Sequence, residues 1–248
     1  MSRLLEKHWE TVSESIVIPT EEATLAGVLA YPQDIPAVGR LVVAGPHPLL
    51  GGTMENNVAR AIAEGLAMSG WITLRFDYRG IGGSDGPSMY DSAAIQSFWE
   101  TSEVQDEQER WSDLRDACRW LVDIDEAELP LAVVAYSFGN LVLSQWLDQG
   151  GKLDAAVCIA PTLDQHDLGA LAKSPISKLA IAAEDDFATC AESLQAELPS
   201  WNNTKVTLAT DRDGHFFRGH ETWLCTRIEQ FLSEFTAAND LPHTGLTP

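Results

Sequence analysis

Short apolar runs alternate with amphipathic stretches along almost the whole chain. Runs at 40–44, 71–76, 129–134, 155–160, 178–183 and 205–209 are predominantly apolar, with apolar residues on neighbouring positions. Strands that read this way are buried on both faces of a sheet. Between and after them, segments 57–69, 110–123, 140–149, 189–198 and 220–235 carry apolar residues at helical spacing. Ahead of these, 14–19 and 24–31 alternate apolar and polar side chains and predict an antiparallel edge hairpin. The alternation of strand and helix predicts an α/β fold, with a mostly parallel central sheet of about eight strands and helices on both faces.

The run Ala135-Tyr136-Ser137-Phe138-Gly139 lies where an apolar strand turns into a helix. A serine flanked two residues away on each side by small residues forms a nucleophile elbow. The turn is too sharp for larger neighbours, and the hydroxyl stands at the C-terminal end of the sheet beside a helix N-terminus. An ordinary strand-to-helix turn would also fit these five residues, and Ala135 stands where glycine is usual. The decision rests on the serine's partners.

A serine hydroxyl needs a base, and the base needs an orienting group. In the α/β-hydrolase fold these follow in the order serine, acid, histidine. The strand at 178–183 runs into Glu184, Asp185 and Asp186, all of them candidates for the acid. Asp186 is favoured, because a small residue (Ala183), two variable positions and then aspartate is the usual pattern. Glu184 and Asp185 suit a solvated helix-capping turn. His215 lies in the loop after the 205–209 strand and can swing back over the elbow. Its imidazole titrates near neutrality and so serves as base and then acid. His220 is the rival, placed at the start of the last helix.

Acyl transfer also needs donors for an oxyanion. The N–H of Phe138, next after the serine, is one. The other is expected from the loop Gly45 to Gly52, where Pro46 and Pro48 have no N–H. Leu49 is the first free donor after them and is taken as the second.

Three segments, with the elbow, carry a family resemblance. They run from Pro46 to Asn57, from Leu74 to Gly86 and from His215 to Gly219. Together they resemble small bacterial α/β-hydrolases of the dienelactone-hydrolase-like type, a group that includes lid-less serine esterases. The resemblance spans about Ser13 to Phe235. It implies a Ser137–His215–Asp186 triad, in agreement with the residue-level reading. Dienelactone hydrolases use cysteine as nucleophile; serine here points to carboxylic esters. Thioester cleavage or acyl transfer would use the same groups, and a noncatalytic binding protein on a hydrolase scaffold is a third reading.

The chain is longer than that pattern between Gly86 and Arg110. Met89, Tyr90, Ile95, Phe98 and Trp99 lie there, and either a small flap over the acyl pocket (87–109) or a surface helix accounts for them. Met89, Phe98, Trp99 and Phe216 are taken as substrate-binding. Only about sixteen residues separate Pro161 from Lys178, so no large cap domain is expected.

A length of 248 residues suits one domain, taken as 1–236 with a disordered tail at 237–248. The formal charge of −21 disfavours nucleic acid and anionic membranes as partners. The expected partner is a small-molecule ester or acyl substrate. Cys118, Cys158, Cys190 and Cys225 have no CxxC spacing, and residues 1–10 lack an apolar signal core. Both point to a cytoplasmic protein with reduced thiols. No cofactor and no metal is called for; Asp164-Gln165-His166-Asp167 reads as a helix start. The glycines at 80, 82, 83 and 86 do not make a dinucleotide fingerprint, because Asp85 occupies the place of the last glycine. Arg79 within that run is read as structural.

Overall fold

The computed structural model describes residues 9–21, 23–101, 107–189, 191–209 and 214–239. Eight strands form one sheet: β1 (Thr11–Pro19), β2 (Thr24–Pro32), β3 (Gly39–Ala44), β4 (Trp71–Phe76), β5 (Leu131–Tyr136), β6 (Ala155–Ile159), β7 (Ser177–Ala183) and β8 (Thr204–Ala209). Their spatial order is β1-β2-β4-β3-β5-β6-β7-β8. The β1–β2 and β2–β4 pairs are antiparallel, and the pairs from β4 through β3 to β8 are parallel. This is the α/β-hydrolase architecture that the sequence predicts. Every residue of β3, β4 and β5 is buried, the polar Arg40, Thr73 and Arg75 included. β1 at the edge leaves most of its residues exposed.

Seven α-helices are described: α1 (Asn57–Met68), α2 (Ser92–Thr101), α3 (Trp111–Asp123), α4 (Gly139–Asp148), α5 (Gly169–Lys173), α6 (Ala191–Glu197) and α7 (Glu221–Asn239). Asn56 caps α1 by accepting the N–H groups of Val58 and Ala59, which meets donors that have no partner within the helix. Val58, Ile62 and Leu66 then line one face at i, i+4 and i+8. All three are fully buried with Leu224, Ile228 and Leu232 of α7, and burial of each side chain contributes roughly 2 kcal/mol. Asn57 Nδ2 donates to Glu221 Oε1 at 2.6 Å and joins the two helices at their N-termini. The opposite face of the sheet packs under α3 and α4 through Leu114, Leu121, Val142 and Trp146. Helices therefore cover both faces.

Several boundaries differ from the sequence reading: β1 begins at Thr11 rather than at 14, and two others have a clear cause. The strand expected at 129–134 is β5, displaced by two residues; Pro130 cannot donate to a ladder, and its carbonyl instead accepts the Arg40 N–H at 2.8 Å. Ala237, Ala238 and Asn239, assigned to the tail by the sequence, continue α7 instead. The rest of that tail and Cys190 lie outside the described residues. Cys118 and Cys158 are buried free thiols, and burial pushes the Cys158 thiol up to about 12.

The loop after β4 is tied down by charge. Asp77 accepts the Met54 N–H at 2.7 Å through Oδ1 and the Gly83 N–H at 3.2 Å through Oδ2. A Cβ at Gly82 would lie 2.0 Å from Asp77 Oδ2, so glycine is required for that approach. Arg79 Nε donates to buried Asp113 of α3 at 2.6 Å, which gives Arg79 a structural place. These ties hold the β3–α1 and β4 loops together at the C-terminal end of the sheet.

Candidate active site

The turn from β5 into α4 holds Ser137 at φ 54°, in the left-handed region. A non-glycine residue there costs on the order of 1–3 kcal/mol. Three hydrogen bonds hold it in place. The Ser137 N–H donates to the Ile159 carbonyl at 2.9 Å. Asn140 Nδ2 donates to both the Ser137 and the Ile159 carbonyls at 3.0 Å. Gly139 packs against β3 so closely that a Cβ would lie 2.3 Å from the Ala44 carbonyl oxygen. Glycine at position 139 is thus a steric requirement of the turn.

Ser137 Oγ lies 2.7 Å from His215 Nε2. His215 Nδ1 lies 2.9 Å from Asp186 Oδ1 and 2.9 Å from Oδ2. Asp186 follows β7. His215 sits in a 3-10 turn, Gly214–Phe216, that begins at Gly214 with φ 51°. The three side chains are buried. The Tyr136 hydroxyl donates to the His215 carbonyl at 3.0 Å, and the Ala188 N–H donates to Asp186 Oδ1 at 2.7 Å. Phe187 and Phe216 flank the imidazole with ring centroids 4.8 Å and 5.7 Å away. Of the three acidic candidates, Asp186 faces the histidine, while Glu184 and Asp185 are exposed.

A cavity of about 770 Å³ opens beside Ser137. One wall is α4, through Leu141, Ser144, Gln145 and Asp148, positions that share a helix face. Pro46, His47 and Leu50 form a second wall, Phe98 and Thr101 of α2 a third, and Thr162, Gln165 and His166 a fourth. Glu107, Asp148 and Asp167 contribute carboxylates, and no lysine or arginine lines the cavity among the described residues.

The family model for serine aminopeptidase, S33, matches residues 50–216, which contain Ser137, Asp186 and His215. This chain belongs to that family. As an S33 family member it is an α/β serine hydrolase by descent as well as by fold. An uncharacterised protein of Rickettsia prowazekii is 25% identical over 199 residues, 77% of each chain. Among solved structures, an alpha-beta serine hydrolase homologue from Coxiella burnetii aligns with TM-score 0.73 at 23% identity, over 88% of this chain and 97% of that one. A lid-less serine hydrolase from Xanthomonas campestris gives 0.73 at 20% identity, over 90% and 94%. Est1E from Butyrivibrio proteoclasticus, solved with ferulic acid bound, gives 0.73 at 15% identity, over 90% and 99%. These three likenesses are of fold.

Within this S33 family member several predicted site residues occupy other places. The Leu49 N–H does not face the cavity: it donates to His47 Nδ1 at 3.2 Å. Pro48 starts a 3-10 turn that His47 caps, and the cap uses the first N–H after the prolines. Met89 is buried in the core with Tyr78 and Ile81 and does not line the cavity. Trp99 is 75% exposed on the outer side of α2, whereas Phe98 points inward. Phe216 lines the cavity as expected from its place beside His215.

His47 is the residue that sequence reasoning missed. It sits between two prolines in the loop after β3, and its ring lies 4.8 Å from Phe98 and 5.5 Å from Phe138. Burial, reinforced by nearby His166, lowers its pKa to about 4. His166 is likewise lowered by burial, and its Nδ1 lies 2.7 Å from Thr162 Oγ1. The signal for His47 was its position: one histidine inside the proline-bounded loop that faces the elbow.

Proposed function

We propose that this protein hydrolyses neutral carboxylic esters through an acyl-enzyme on Ser137. The observation that carries the reading is the continuous chain Ser137 Oγ, His215 Nε2, His215 Nδ1, Asp186 carboxylate, with each link at 2.7–2.9 Å. The carboxylate on Nδ1 keeps the proton there and leaves the Nε2 lone pair facing the hydroxyl. Ser137 Oγ bonds to the ester carbonyl carbon as its proton passes to Nε2. The carbonyl electron pair moves to oxygen, where the Phe138 N–H stabilises it. Collapse expels the alcohol, which takes the proton from Nε2. Water then repeats the sequence and releases the acid.

The second oxyanion donor is assigned to the His47 backbone N–H. It is the one amide donor in Pro46-His47-Pro48, and its residue lines the cavity. It replaces the Leu49 N–H, which the cap engages.

The cavity walls support an ester over a carrier-bound thioester. Carrier thioesters bring phosphate groups, and a site for phosphate is ordinarily built with arginine or lysine. The lining has neither among the described residues, and it holds three carboxylates. An intact and well-placed serine, histidine and aspartate likewise favour catalysis over a noncatalytic scaffold.

The test is mass spectrometry after a fluorophosphonate probe, run beside hydrolysis of p-nitrophenyl esters from acetate to octanoate. A single adduct on Ser137 with turnover of the shorter esters is expected. An adduct with negligible turnover would move the reading to acyl transfer, and a folded protein with no adduct would end it.

A further inference from the structure

The His47 imidazole has a donor to spare. Its Nδ1 accepts the Leu49 N–H at 3.2 Å. A backbone N–H only donates, so Nδ1 carries the lone pair, and the neutral ring has its proton on Nε2. The low pKa of His47 keeps the ring neutral near pH 7. That Nε2–H is covered and has no hydrogen-bond partner among the described residues. A buried donor left unmet is unfavourable, and native structures seldom keep one without a reason.

Two rings cover it. Phe138 is fixed: it is buried in the core, edge-on to Tyr78 at 5.9 Å. Phe98 is not. It belongs to α2, in which no residue is buried. Just ahead of α2, the Tyr90 hydroxyl reaches the Pro48 carbonyl at 3.3 Å. Of the two rings, Phe98 moves at little cost in buried apolar area.

We propose that α2 is a small lid and that a substrate displaces Phe98 from His47, so that the uncovered Nε2–H donates to an acceptor oxygen on the substrate. The preferred ester then carries a hydroxyl, ether or carbonyl oxygen besides those of the scissile group. A plain hydrocarbon chain displaces Phe98 and leaves the donor unmet. The inference rests on the hydrolase reading for the nature of the ligand and deepens it by a substrate class.

Binding in a Ser137→Ala background tests it without turnover. Two pairs of esters differ only by an ether oxygen in place of a methylene: 2-methoxyethyl acetate with butyl acetate on the alcohol side, and ethyl methoxyacetate with ethyl butyrate on the acyl side. Dissociation constants come from NMR titration. The ether member of one pair should bind more tightly, and the pair that discriminates tells which half of the ester meets His47. Adding His47→Asn keeps an acceptor for the Leu49 N–H and removes the outer donor. It should weaken that ether ester by about fivefold, the value of one neutral hydrogen bond, and leave its twin unchanged. His47→Gln, whose amide reaches the outer position, should restore most of the loss. Phe98→Ala should tighten binding of the ether ester alone. Equal binding within both pairs would overturn the proposal, and so would a His47→Asn loss shared by both twins, which marks a structural role. If His47→Asn does not fold, Phe98→Ala decides: a gain confined to the ether supports the lid, and an equal change in both twins overturns it. Fluorophosphonate labelling of Ser137 is scored separately, so the hydrolase reading and this one fail on different data.

Discussion

Asp186 presents both carboxylate oxygens to one nitrogen of His215, each 2.9 Å from Nδ1. The arrangement fixes which nitrogen holds the proton and therefore which one is free to take it from Ser137. Asp186→Asn should lower kcat/KM for a short ester by about 10³- to 10⁴-fold, because an amide no longer selects that tautomer. Asp185→Asn should stay within about twofold of wild type, since Asp185 is exposed and the neighbouring Asp186 faces the histidine. Steady-state kinetics of the two variants side by side decide the matter, and the reverse ranking would displace Asp186 from its role.

Gly139→Ala should damage folding as well as activity. The new Cβ would lie 2.3 Å from the Ala44 carbonyl oxygen of β3, a backbone atom that cannot swing away. A loss of about 3 kcal/mol is expected from overpacking of this kind. Chemical denaturation measures it, and an unchanged midpoint would mean that the elbow relaxes more readily than its packing indicates.

Stability should fall with acid in a way that His47 accounts for. Its pKa is near 6.5 in the unfolded chain and about 4 in the folded protein. Between those values the unfolded state binds more protons, so stability rises with pH and is lost as pH falls. From pH 7 to pH 5 that linkage is worth about 2 kcal/mol. His47→Asn removes it, and the stability gap between wild type and variant should therefore differ at the two pH values. Urea titrations at pH 7 and pH 5 check this; a gap independent of pH would show that the folded ring titrates normally.

Charge on the substrate should matter. With three carboxylates and no lysine or arginine lining the cavity among the described residues, p-nitrophenyl monoesters of dicarboxylic acids should be poorer substrates than neutral esters of equal length, by about tenfold in kcat/KM. The penalty should shrink at high salt. A preference for the anionic ester would point to a cation outside the described residues.

The parallel sheet was legible because six strands are predominantly apolar on both faces, a pattern that burial on both faces imposes. The Ser137 turn was legible because sterics restrict its neighbours, and Asp186 and His215 because each lies just past the end of a strand. Legibility ended where hydrogen bonding in a loop decides direction. Counting donors past the prolines gives Leu49, yet the His47 side chain caps the 3-10 turn and takes that N–H. Composition also misplaced the aromatic segment. Met89, Phe98 and Trp99 look alike as apolar residues, but the first fills the core, the second faces the cavity and the third faces solvent. Helical phase and the anchoring of α2 separate them, and neither is written in a stretch so short.

Ser137, Asp186 and His215 follow β5, β7 and β8, and β8 is the last strand at its edge of the sheet. Their assembly is a long-range event, since the serine and the histidine are 78 positions apart in the chain. A nascent chain with its first five strands in place already carries the serine but has no base to arm it. On the mechanism proposed above, reactivity arrives with the final strand. Fraying of that one outer strand would disarm the protein while most of its sheet stayed intact.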